Sequence, residues 1–206
     1  MTTERKEKTD WYRNLNRYAN KGGILFAGSS FVADFPVNEL EVNFQLDAPV
    51  YNRGMRELTV KELLETALDV CVLDLQPTKL FLSLGETDCK QPNFSLDEFL
   101  TQYEMLLTRI QSALPNCSVF VIGLLPACRD YETINGRLRQ LVKEQHCTFL
   151  DFSLALLNQK ENILLEGERE VLAPASYVTI LKELKHLFRN EEMGFGEVWN
   201  MISNWY

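Results

Sequence analysis

Two adjacent hydroxyls close the stretch Leu25-Phe26-Ala27-Gly28-Ser29-Ser30, an apolar run that ends in a glycine. A serine becomes a nucleophile when it is exposed on a tight turn, when a base takes its proton and when N–H donors face the developing oxyanion. Otherwise a serine at a strand-to-helix junction is a turn or cap residue. Two more glycine-marked polar turns occur downstream, Asn52-Arg53-Gly54 and Gly85-Glu86-Thr87-Asp88. A glycine leaves its backbone N–H open to close approach. Ser30 is therefore the candidate nucleophile, and Gly54 and the Gly85 loop are candidate donors. Carboxylates that could serve a hydroxyl stand in Glu166-Gly167-Glu168-Arg169-Glu170. A glutamate is a poor base unless burial raises its pKa, and the plainer expectation for this segment is a solvated acidic loop.

The elements that must position these residues are legible as alternating patterns. Short apolar runs at 23–27, 49–52, 79–84, 118–125 and 148–152 suit parallel strands covered on both faces. Between them lie helical patterns: one capped by Thr59, one opened by Ser95 with Glu98 three residues on, one over about 130–145 and one over about 174–188 with Pro174 at an early position. The alternation predicts an α/β three-layer αβα sandwich on a five-stranded parallel sheet. A single domain is expected over 1–206, with an N-terminal helix at about 9–20 and the aromatic tail 193–206 packed on the body. The second reading of that tail is a homodimer contact. In open parallel sheets ligands bind at the carboxyl ends of the strands, which puts all three glycine turns on one rim.

The bulk numbers narrow the function class. The 206 residues carry a formal charge of −8 and are 46% hydrophobic. That excess of acid argues against nucleic acid or an anionic membrane as partner. A small neutral ester, acyl or sugar ligand fits better. The charged N-terminus lacks the apolar core of a secretory signal, and no run is long enough to span a bilayer. Cys71, Cys89, Cys117, Cys128 and Cys147 are odd in number and show no CxxC spacing. Free thiols in a reducing cytoplasm are expected, with Cys89 inert. The two histidines, His146 and His186, have no metal-ligand spacing with them, so no zinc and no cofactor is expected.

The order and spacing of the three turns resemble the SGNH hydrolases, the GDSL esterases and lipases, and especially small bacterial members similar to the platelet-activating-factor acetylhydrolase catalytic subunit. The resemblance runs from about Gly22 to Phe188. It implies Ser30 at the nucleophile position, with Ser29 in place of the family's aspartate. It implies Gly54 as an oxyanion donor and Thr87 in place of the oxyanion asparagine, with Asp88 holding its loop by hydrogen bonds. The fifth block departs from the pattern. Anchored on Ser176-Tyr177, it sets Glu168 at the aspartate position and Val171 at the histidine position, and no histidine lies between His146 and His186. Both histidines are expected in surface or helix-end roles. Arg53 and Arg56 are expected to pair with Glu57, Glu86 or Glu168, or to meet an anionic ligand.

Loss of a triad histidine costs roughly 10^4 to 10^6 in turnover, and loss of an oxyanion donor roughly 10^2 to 10^3. The resemblance thus implies an ester hydrolase of weak or lost activity. Its alternative is an inactive protein of the same fold that binds a ligand or partner. A third reading, a phosphate-binding turn at LFAGSS, lacks both the GxGxxG pattern and a P-loop lysine.

Overall fold

The computed structural model describes residues 2–37, 39, 46, 48–126, 128, 130–157, 163–166 and 169–188. Five strands, β1 (Ile24–Gly28), β2 (Val50–Gly54), β3 (Lys79–Ser83), β4 (Ser118–Ile122) and β5 (Thr148–Leu150), form one sheet in the order β2-β1-β3-β4-β5. Every pairing in it is parallel. The apolar runs form strands because both faces are covered: all five residues of β1 are buried. This is the expected α/β sandwich.

Each face has its own core. On one, Leu25, Ala27, Leu80, Leu82, Val119 and Val121 meet Tyr12 of helix Thr3–Asn16, Phe99 and Tyr103 of helix Leu96–Ala113, and Leu138 of helix Tyr131–Glu144. On the other, Phe26, Phe81 and Phe120 lie opposite one another in register across β1, β3 and β4. Their rings stack at 4.7 and 4.8 Å. Phe35 and Phe188 close over that stack. Burying one such ring stabilises by about 1.5–3 kcal/mol.

The helix starts follow the capping chemistry. Thr59 and Glu62 form a reciprocal capping box, and the Ser95 side chain accepts the Glu98 N–H. The helix that Thr59 opens (Val60–Glu62) passes through a π-helical turn at Leu63–Ala67 before Leu68–Cys71. The N-terminal helix starts earlier than expected, at Thr3, because the Thr2 hydroxyl accepts the Arg5 N–H and caps it. A second departure is β6 (Ile163–Glu166) paired antiparallel with β7 (Arg169–Leu172), where an acidic loop was expected. The apolar runs Ile163-Leu164-Leu165 and Val171-Leu172 flank a short charged turn with a glycine at Gly167, a pattern that supports a hairpin.

The cysteines also correct the sequence reading. Cys89 and Cys128 are paired as a disulfide, with Cα atoms 7.3 Å apart, so the thiols are not all free. Cys71, Cys117 and Cys147 are free, and burial pushes their thiols up, to about 12, 12 and 11. These three are poor nucleophiles at neutral pH. Among the described residues no helix is long and apolar enough to cross a membrane. The aromatic tail and Glu168 lie outside the described residues.

Candidate functional site

Ser29 and Ser30 follow directly on β1, and the helix Ser30–Asp34 begins at once. Gly28 makes the exit possible. Its φ is +149°, and a Cβ there would stand 2.0 Å from the Ser83 carbonyl oxygen. The first hydroxyl is wholly buried, and Ser29 Oγ lies 3.0 Å from Thr87 Oγ1. The second, Ser30, is half-buried and opens on a cleft of about 990 Å³.

Asn52 anchors the second turn. Its Nδ2 donates to the carbonyls of Val32 (2.6 Å) and Phe35 (3.2 Å), and its Oδ1 accepts the Gly54 N–H at 2.7 Å. The Gly54 N–H is thereby committed inside the turn. The glycine serves packing instead: a Cβ on Gly54 would fall 2.3 Å from the Ala33 nitrogen, so the Ser30 helix seats directly on β2. The N–H that reaches Ser30 is that of Glu57, which donates to Ser30 Oγ at 3.2 Å. Glu57 takes a left-handed conformation, φ 58°, to aim it there. The sequence reading missed Glu57 because a glutamate carries no turn signature. Only its place three residues past Gly54 pointed toward it.

The third turn closes the group. Cys89 N–H bonds the Gly85 carbonyl at 2.9 Å, folding Glu86, Thr87 and Asp88 into a compact loop. Glu86 Oε1 accepts the Phe31 N–H at 3.2 Å. Both Asp88 carboxylate oxygens accept the Val60 N–H, at 3.1 and 3.3 Å, so this loop is tied to the capped helix beyond β2. Burial pushes the Asp88 carboxyl up to about 6. One wall of the cleft is apolar, formed by Phe31, Leu125, Leu172 and Tyr177. Tyr177 stacks on Phe31 at 5.9 Å. Burial first, then the Asp34 and Glu86 carboxylates, push its phenol above the ordinary range.

The arginines go elsewhere than expected. Arg53 turns away from the cleft and is buried against the N-terminal helix. Its Nε and Nη2 donate to Asn16 Oδ1 at 3.0 and 2.9 Å, and its guanidinium sits 5.0 Å from the Tyr12 ring centre. Arg56 pairs with Asp34 at 2.5 Å. His146 holds a left-handed turn at φ 53° just before β5, and His186 lies exposed in the last turn of helix Pro174–Phe188. Neither lines the cleft. Val171 is a β7 residue opposite Leu164. The structure therefore brings Ser30 and Thr87 to one cleft, keeps Gly54 behind it as a spacer, and puts Val171 in the hairpin.

No protein-family model and no curated protein matches the sequence. Solved structures match over most of the chain. A Streptococcus pneumonia protein named for platelet activating factor superposes with a TM-score of 0.77 at 23% identity, over 89% of this chain and 92% of that one. A GDSL-like lipase from Bacteroides thetaiotaomicron gives 0.70 at 12% identity, over 87% and 96%. An acetylxylan esterase from Geobacillus stearothermophilus gives 0.65 at 16% identity, over 84% and 96%. The fold is that of the SGNH/GDSL hydrolases. At these identities it is the SGNH/GDSL architecture that is shared, and chemistry has to be argued from the site.

Proposed function

We propose that the protein is an SGNH-fold serine hydrolase acting on a small ester or acyl substrate, with Ser30 as nucleophile. The observation that carries this is the Glu57 N–H aimed at Ser30 Oγ across 3.2 Å. A glutamate held at positive φ is strained by roughly 1 kcal/mol, and such strain persists where the surroundings impose it. A substrate carbonyl docked against Ser30 meets two donors, the Glu57 N–H and the N–H of Ser30 itself, which has no acceptor among the described residues. Thr87, beside Ser29, adds a hydroxyl on a shorter arm than an asparagine amide. The role expected of Gly54 thus passes to Glu57, and Gly54 serves to seat the helix. The aromatic wall of Phe31 and Tyr177 suits a short acyl group.

Val171 at the histidine position favours a second reading, a protein that binds such a ligand without turning it over. Hydrolysis of p-nitrophenyl acetate and butyrate by wild type and Ser30→Ala separates the two. Turnover that disappears in Ser30→Ala is the expected result. Equal rates in both proteins leave binding as the function.

A further inference from the structure

A serine hydroxyl needs an acceptor for its proton within hydrogen-bond reach, directly or through one water. Neither histidine lines the cleft, so the acceptor must be sought among the carboxylates there. Most of them are engaged. Asp34 is held by Arg56 at 2.5 Å, and Glu62 by Arg5 at 2.8 Å. Asp88 spends both oxygens on the Val60 N–H. The Glu57 side chain is 78% exposed, and Glu98 is exposed on its helix with Oε1 accepting from Gln102 Nε2 at 3.1 Å.

Glu86 differs from all of these. Its Oε1 accepts the N–H of Phe31, the peptide bond that leaves Ser30, at 3.2 Å. The carboxylate therefore stands beside the nucleophile's own backbone. Among the described residues its second oxygen has no hydrogen-bond partner, and no cation pairs with it. Its loop is closed by the Cys89-to-Gly85 hydrogen bond and tied through Asp88 to Val60, so the carboxylate is held in place rather than swinging from a mobile arm.

We propose that Glu86 is the proton acceptor for Ser30, a catalytic role that the sequence pattern gives to a histidine elsewhere. The inference rests on the reading of Ser30 as nucleophile. As Ser30 Oγ bonds to the acyl carbon, its proton passes through one water to the Glu86 carboxylate and the carbonyl π pair moves onto oxygen, between the Glu57 and Ser30 N–H groups. Collapse of the tetrahedral species breaks the ester C–O bond, and the leaving alkoxide takes the proton back from Glu86. Water then gives a proton to Glu86 and its oxygen to the acyl carbon. The second collapse frees the acid and returns the proton to Ser30 Oγ.

The test uses the full chain and p-nitrophenyl acetate, with reaction of Ser30 with a fluorophosphonate, read by mass spectrometry, as a second measure. Glu86→Gln is expected to lower kcat by about 10^2-fold or more with KM little changed. It should also abolish the acid limb of the rate profile. Other titratable groups share the cleft: Asp34 with Arg56, Glu57 and Glu62 near Arg5, Lys61, Glu98, Tyr177, and Asp88 and Lys90 on the same loop. A limb that persists in Glu86→Gln belongs to one of these and overturns the proposal. Glu86→Ala should regain rate with added formate in proportion to its concentration. A Glu86→Ala loss that formate does not restore makes Glu86 a positioning residue for the Phe31 turn and overturns the proposal. A Ser30→Ala rate equal to wild type removes the nucleophile reading first, whatever Glu86 does. Wild type inert to both the ester and the fluorophosphonate defeats both readings.

Discussion

Two parts of the molecule meet at the cleft, the turns after β1, β2 and β3 and the hairpin of β6 and β7, which reaches it through Leu172. The turns are bonded to one another. Ser29 meets Thr87, Phe31 meets Glu86, Ser30 meets Glu57 and Asn52 reaches under the Ser30 helix. Among the described residues the two hairpin strands pair with each other, as a sheet apart from the five-stranded one. A nucleophile and its donors have to agree in position to a fraction of an ångström, so turns that share hydrogen bonds constrain one another. The position on β7 can hold valine while the turns around Ser30 keep their geometry.

This contrast can be broken or sharpened at several points. The largest expected effect is the Ser30→Ala loss of p-nitrophenyl ester turnover, about 10^3-fold or more. Next is a pH effect on the bonded side. The Asp88 carboxyl is raised by burial to about 6 from 3.8. A raised carboxyl binds its proton more tightly in the folded chain, so its contribution is full below pH 4. It is lost as pH rises through 6, an effect on the order of 3 kcal/mol. Thermal melts of wild type and Asp88→Asn should diverge across that window, wild type losing ground toward neutral pH. Parallel curves would mean that burial of the Asp88 carboxylate carries no such penalty. Gly54→Ala should cost about 1–3 kcal/mol, because the new methyl meets main chain at 2.3 Å. It should lower turnover as well, since the Ser30 helix is what must move. On the hairpin side, Val171→Thr exchanges one β-branched residue for another and should change stability by less than about 1 kcal/mol. Turnover should be unchanged, and a tenfold drop would join the hairpin to the catalytic group. Last, thiol titration of the unfolded, unreduced protein should count three cysteines rather than five, matching the Cys89–Cys128 pair.

The sheet was readable because its strands are apolar on both faces and its helices announce themselves through Thr59, Ser95 and Pro174. The Ser30 turn was readable because a glycine at the end of a buried apolar run marks a sharp exit, and two hydroxyls follow it at once. Glu57 and Glu86 were not, since each meets the Ser30 turn through atoms that residue identity does not advertise: a main-chain N–H in a left-handed turn, and a carboxylate whose partner lies 55 residues away. Gly54 misled for a related reason. A glycine marks close approach of something, and here that something is the Ala33 backbone rather than a ligand. Arg53 looked like a rim cation, but the Asn16 and Tyr12 partners that bury it sit in a helix with no motif at all. The Cys89–Cys128 pair spans a separation of 39 residues, which no spacing rule identifies.

The place of β1 in the strand order has a consequence for how the protein opens. It lies between β2 and β3 with all five residues buried, and Phe26 is stacked on Phe81 beneath Phe35 and Phe188. Local opening begins at edges and termini, whereas central amides exchange with solvent only when the whole sheet separates. The amides of β1 should therefore be among the slowest in the molecule to take up deuterium, and that of Ser29, bonded to the Ser83 carbonyl, should share their protection. Fluctuations that loosen β5 or the terminal helices leave Ser30 on the part of the chain that unfolds last.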